Sequence, residues 1–178
     1  ATVAQTANYT NATSDCVKFV ISKRKVTYKA DDATKVYDGT ALTKNTAKLV
    51  SGTLVTGHSA TFTISGTITN VGTVTNTLSA VVIKNSNGTD VTANYEITKQ
   101  NGTLKVTEAQ AEKPSANEYC KTLTYNGATQ TVTKDPATGY SFSENTGINA
   151  GTYEVTAKLD DGFEWIDGTT ADVVFECT

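Results

Sequence analysis

The sequence predicts an all-β chain of two related modules in tandem, preceded by an N-terminal strand or hairpin. Three observations carry that expectation. Threonine supplies 35 of the 178 residues, and β-branched side chains favour strands; no apolar face at i, i+3, i+4, i+7 is sustained over three turns. Short alternating segments are separated by Gly-containing turns. The punctuation then repeats in order: Val36-Tyr37-Asp38-Gly39-Thr40, Asn70-Val71-Gly72-Thr73 and Asn87-Gly88-Thr89-Asp90-Val91 are echoed by Thr124-Tyr125-Asn126-Gly127, Asn149-Ala150-Gly151-Thr152 and Asp167-Gly168-Thr169. The middle and last glycines are 16 residues apart in the first copy and 17 in the second, whereas the first interval shrinks from 33 to 24. The second copy is therefore shorter by one strand or a long loop.

Residues 1–22 are the odd piece. Ala7-Asn8-Tyr9 repeats Ala93-Asn94-Tyr95, and Val17-Lys18-Phe19-Val20 falls where Leu104-Lys105-Val106 follows it. The segment reads as the closing strands of a module whose earlier strands are missing, and such a hairpin is marginal in water unless it docks on its own chain or completes another subunit. Residues 23–108 form the first module, with strands expected at 25–29, 35–37, 48–50, 60–68, 76–84, 95–99 and 103–107; that number and spacing suggest an immunoglobulin-like β-sandwich. The polar run Glu108 to Pro114 lacks alternation, so residues 109–114 are the linker. Residues 115–178 form a second, shorter sandwich, with strands expected at 119–125, 130–132, 140–143, 151–159, 163–165 and 172–177.

The net charge is −3, with 15 basic residues, which gives no reason to expect a nucleic-acid partner. No apolar run approaches 18 residues, so no membrane span is expected. Three cysteines without a Cys-x-x-Cys or Cys/His cluster argue for disulfides in an oxidising compartment. The start Ala1-Thr2-Val3, in a chain without methionine, fits a mature secreted protein after leader cleavage. A secreted, extracellular or cell-surface location is the expectation.

The order Thr34-Lys35-Val36-Tyr37-Asp38-Gly39-Thr40, Gly57-His58, Asn70-Val71-Gly72-Thr73, Val91-Thr92-Ala93-Asn94-Tyr95 and Asn101-Gly102-Thr103-Leu104-Lys105-Val106 resembles the MBG-type repeats of bacterial surface proteins. In the second module Leu123-Thr124-Tyr125-Asn126-Gly127, Asn149-Ala150-Gly151-Thr152-Tyr153 and Gly162-Phe163-Glu164-Trp165 resemble the related short bacterial immunoglobulin-like repeats. The resemblance implies stalks or adhesins, mainly of Gram-positive bacteria, with no catalytic residues to carry over. The three cysteines and the out-of-phase start depart from those repeats.

Cys120 and Cys177 fall on the terminal strands of the second module, and a bridge there closes a 57-residue loop. Cys16 is then left over, either bonded to another chain or buried as a free thiol. His58, the single histidine, lacks a second ligand for zinc or a nucleophile to serve. Asp31-Asp32 and Asp160-Asp161 read as turn and solvated charges rather than a glycosidase pair or calcium ligands. Threonine runs such as Thr61/Thr63 and Thr73/Thr75/Thr77 read as a solvent face rather than an ice-binding ladder. A Lys-Asn isopeptide bond has no trio that sequence can place, and the sequons at Asn8, Asn11, Asn87 and Asn101 would stand unused in a bacterial protein.

No catalytic, cofactor or metal residues are expected, and the chain is expected not to be an enzyme. The expected role is a structural subunit of an extracellular fibre, pilus-like filament or surface stalk. It polymerises head to tail through strand complementation, with Val17, Phe19 and Ile21 as donor-strand residues. The alternative is an adhesin module that binds a host protein or glycan through an exposed aromatic cluster, for which Tyr140, Phe142, Phe163 and Trp165 are the candidates.

Overall fold

The computed structural model describes residues 18–178 together with the backbone of Thr2–Val3 and Ala12–Thr13. The chain is all-β: half of it is strand and 4 % helix, as the threonine content and the missing helical period predicted. The two shortest N-terminal strands, β1 (Thr2–Val3) and β2 (Ala12–Thr13), pair antiparallel with each other. Residues 18–23 follow without regular structure.

Seven strands make up the N-terminal half: β3 (Arg24–Ala30), β4 (Ala33–Val36), β5 (Ala47–Gly52), β6 (Ser59–Ser65), β7 (Gly72–Lys84), β8 (Tyr95–Gln100) and β9 (Gly102–Thr107). They form a three-stranded sheet in the order β5-β3-β8 and a four-stranded sheet in the order β4-β9-β7-β6. Period-2 alternation puts Val26, Tyr28 and Ala30 of β3 on one face, where they meet Leu78, Val81 and Ile83 of β7 and Tyr95 of β8 in a common core. In β7 the inward residues switch from even (Asn76, Leu78) to odd (Val81, Ile83) numbers. A register shift in the β6–β7 pairing, where Thr63 faces Ala80 but Ile64 faces Leu78, inserts one residue and so exchanges the faces. The buried Asn76 amide donates to the carbonyls of Asp31 (3.0 Å) and Lys44 (2.8 Å), tying the loops between strands to the core.

The C-terminal half contains β10 (Ala109–Ala111), the one-turn helix α1 (Ala116–Tyr119), β11 (Gln130–Thr131), β12 (Tyr140–Ser143), β13 (Thr146–Gly147), β14 (Tyr153–Leu159), β15 (Phe163–Trp165) and β16 (Val173–Cys177). Its main sheet has the order β12-β14-β16, with β10 paired parallel to β15 and β11 antiparallel to β13. Trp165, Tyr140, Tyr119, Ala157 and Ala111 form the core, packed by Phe142 and Phe175. The Tyr140 hydroxyl donates to that of Tyr119 at 2.7 Å, and the Trp165 indole N–H donates to the Ala171 carbonyl at 2.7 Å. Burial, reinforced by the Tyr119 hydrogen bond, pushes the Tyr140 phenol above its ordinary value.

Two segments depart from the sequence reading. Ala109–Ala111, expected in the linker, is a strand with Ala111 in the core, because its backbone finds a parallel partner in Phe163–Trp165. Only Glu108 separates β9 from β10. The Tyr37 amide donates to Thr107 and the Ala109 amide to Gly162, while the Tyr37 and Phe163 rings meet edge to face at 5.9 Å. Residues 119–125, expected as a strand, begin as the end of α1. Cys120 makes a single bridge to Thr133, and residues 121–127 have no strand partner.

The repeated punctuation extends to the backbone. Gly39 and Gly127 have φ of 74° and 76°, Gly88 and Gly168 of 80° and 77°, and Gly72 and Gly151 of 145° and 156°. Asp38-Gly39-Thr40 and Asp167-Gly168-Thr169 close identical turns, in which the carboxylate accepts from the threonine amide and hydroxyl. A lysine caps each: Lys35 holds the Asp38 carboxyl down to about 2, and Lys113 does the same to Asp167.

Candidate interaction site

Where the C-terminal half should close, a groove of about 240 Å³ stays open. Its floor comes from Val132 and from Cys177 at the end of β16, its walls from Leu123 and Tyr125 on one side and Ile148 and Tyr153 on the other. Leu123, Tyr125 and Ile148 are respectively 43 %, 64 % and 48 % exposed, a concentration of apolar surface that the core has not absorbed. The disulfide between Cys120 and Cys177, with Cα atoms 5.3 Å apart, fixes the start of residues 121–125 against β16. Tyr153 packs closely on Gly147, where a Cβ would sit 2.1 Å from its ring, and its hydroxyl donates to the Asn149 carbonyl at 2.6 Å. Those contacts position the Ile148–Gly151 wall, and only glycine at 147 leaves room for them.

The residues that the sequence marks as candidates are scattered over the fold. Cys120 and Cys177 are joined, as expected from their placement at the two ends of this half. Cys16 and Val17 lie outside the described residues. Phe19 and Ile21 belong to no strand and are 90 % and 98 % exposed, as is Val20 at 85 %. His58 stands beside Tyr95, its Nδ1 2.7 Å from the phenol oxygen that also accepts the Val55 amide, so the pair pins a loop to the core. Asp32 receives Lys29 and the Thr103 amide, and Asp31 receives the Thr46 hydroxyl; both carboxylates close the turns around β3. The Asp160 carbonyl accepts the Phe163 amide in the turn before β15. Thr61 and Thr63 face solvent while Phe62 and Ile64 point inward. Asn101 spends its side-chain oxygen on the Leu78 amide. Among the described residues no group of three or more His, Cys, Asp or Glu side chains is placed to hold a metal ion.

The aromatic quartet considered for ligand binding is internal: Trp165 and Tyr140 are buried, and Phe142 and Phe163 pack against them. Leu123, Tyr125 and Ile148 escape sequence reasoning because they are dispersed along the chain; the one signal for them is the shortened first interval of the second copy, read as the loss of one strand or a long loop. No family model matches this chain, nor does any curated protein or solved structure. No helix among the described residues is long and apolar enough to cross a membrane.

Proposed function

We propose that this chain is a structural subunit of an extracellular bacterial fibre, pilus-like filament or surface stalk. It is built from two immunoglobulin-like modules of unequal size and joined to its neighbours by strand complementation from residues 1–22. The observation that carries the reading is the Phe19-Val20-Ile21 run, three large apolar side chains in a row that are at least 85 % exposed and outside any strand. Leaving such a run in water forfeits roughly 1.5–3 kcal/mol for each side chain that could be buried. A partner edge that takes it up also removes a hazard of unpaired strands.

Further support comes from the matched turn glycines, which fit one fold unit used twice, the arrangement of molecules that build length. The close hand-over from β9 to β10 suits a load-bearing rod, and the disulfide suits an oxidising compartment. The adhesin reading is weaker because the aromatics that would form its surface are in the core. The role is mechanical and needs no catalysis.

The test is light scattering and electron microscopy of the full chain beside a variant lacking residues 1–21. Polymers of the full chain that vanish on deletion, with Trp165 fluorescence unchanged, are the expected result. A full chain that stays monomeric at high concentration overturns the reading.

A further inference from the structure

The two halves place corresponding strands in corresponding positions, with one vacancy. β7 follows the Asn70-Val71-Gly72-Thr73 turn and lies between β6 and β9; β14 follows Asn149-Ala150-Gly151-Thr152 and lies between β12 and β16. β9, however, carries a further strand on its far edge, β4, in parallel register from Ala33 opposite Leu104 to Val36 opposite Thr107. Among the described residues β16 has no strand on that edge. β4 leads into Tyr37-Asp38-Gly39, whereas residues 121–124, which lead into Tyr125-Asn126-Gly127, form no strand. The groove opens between that segment and Cys177, where the missing strand would lie.

We propose that this groove is the acceptor site for residues 17–22 of a second copy of the chain, which pairs with β16 in the position β4 takes beside β9. The assignment rests on the fibre reading and names the surface it requires. An edge strand offers a row of free N–H and C=O groups, and an added strand satisfies them while its alternate side chains fill the groove between Leu123, Tyr125, Ile148 and Tyr153.

Charge selects the occupant. Residues 1–114 hold twelve basic and eight acidic side chains, net +4; residues 115–178 hold three basic and ten acidic, net −7. The contrast is strong in the segments that carry the two proposed partners, although Lys121 is the one charged side chain lining the groove itself. Lys18, Lys23, Arg24 and Lys25 flank the exposed run, with no acid from Cys16 to Ala30. From Asp160 to the end of β16 there are six acids and no base. Two copies meeting end to like end would set like charges together, whereas a head-to-tail contact sets the basic arm on the acidic half. Such a contact is heterologous and propagates.

The test uses the full chain carrying a photo-crosslinking benzoylphenylalanine in place of Phe19, made in isotopically light and heavy forms and mixed. Irradiation should give mixed-isotope crosslinks to residues 123–125 or 148–153. Their yield should rise as salt is lowered and fall at least about tenfold in Ile148→Asp and in Tyr125→Asp, which place a charge in an apolar groove. Both side chains are surface groups, and intact Trp165 fluorescence certifies the fold of each variant. Mixed-isotope crosslinks to other residues, or wild-type yield from the groove variants, in a protein that still polymerises would overturn this acceptor site and leave the fibre reading standing. Crosslinks confined to one chain, without polymers, would overturn both.

Discussion

The N-terminal half and the C-terminal half solve the same packing problem with different means. In the first, seven strands enclose a mainly aliphatic core that also buries Tyr28 and Tyr95, and no disulfide is present among its described residues. In the second, a three-stranded sheet and two pairs of short strands enclose an aromatic core closed by a disulfide. The difference teaches what a smaller unit needs in order to close. A smaller unit buries a smaller fraction of its surface, so large rings and a crosslink substitute for area, and an apolar groove remains at the open edge.

Removal of core volume should produce the largest effect and separate the halves most clearly. Leu104→Ala, at a fully buried position of β9, should cost about 2–5 kcal/mol. The loss should fall on the transition followed by circular dichroism and leave the midpoint followed by Trp165, the single tryptophan, within error. A shift of both would mean that the halves unfold as one unit.

Loss of the crosslink should do the converse. Cys120→Ser with Cys177→Ser should weaken the C-terminal half by about 2–4 kcal/mol, lowering the Trp165 midpoint in denaturant. An unchanged midpoint would show that the aromatic core alone suffices.

A smaller effect belongs to the seam. Gly162 has φ of +88°, and a Cβ there would lie 2.4 Å from the Tyr37 ring. Gly162→Ala should cost about 1–3 kcal/mol through backbone strain and displacement of that ring. Calorimetry should show the unfolding transition shifted down and broadened as the contact loosens; a transition of unchanged midpoint and width would argue that the seam contributes nothing to stability.

The smallest effect tests what the halves share. Asp38 and Asp167 sit at about 2 against an ordinary 3.8, so below 3.8 the unfolded chain binds more protons than the folded one. The stability they contribute is complete above that value and is lost as pH falls towards 2. Lys35→Gln should raise the Asp38 value towards 3.8 and leave Asp167 alone, and Lys113→Gln the reverse, as read by carboxyl titration in NMR.

The first half is legible in the sequence because most strands there, β3, β4, β6, β7 and β9, alternate in burial, and three, β4, β7 and β8, run into turns written in Asp-Gly or Asn-Gly. All seven expected strands are present, with ends moved by a few residues. The second half is legible only in part, in β11, β12, β14, β15 and β16. Ala109-Gln110-Ala111 carries no strand signal of its own and becomes one through a parallel partner more than 50 residues away. Leu123-Thr124-Tyr125 carries strand propensity and forms none, because propensity without an edge to pair with is not enough. The groove could not be read for the same reason: its walls meet only after the fold has left a slot beside β16.

The free edge of β16 is the feature on which the proposed assembly turns, and amide hydrogen exchange observes it directly. In dilute protein the outward amides of Val173–Cys177 should exchange quickly, while those of Gly102–Thr107, flanked by β4 and β7, stay protected. On assembly, protection should spread to β16 and to residues 18–22 together, leaving β9 unchanged. Polymers in which the β16 amides exchange as fast as in the monomer would contradict strand addition at that edge.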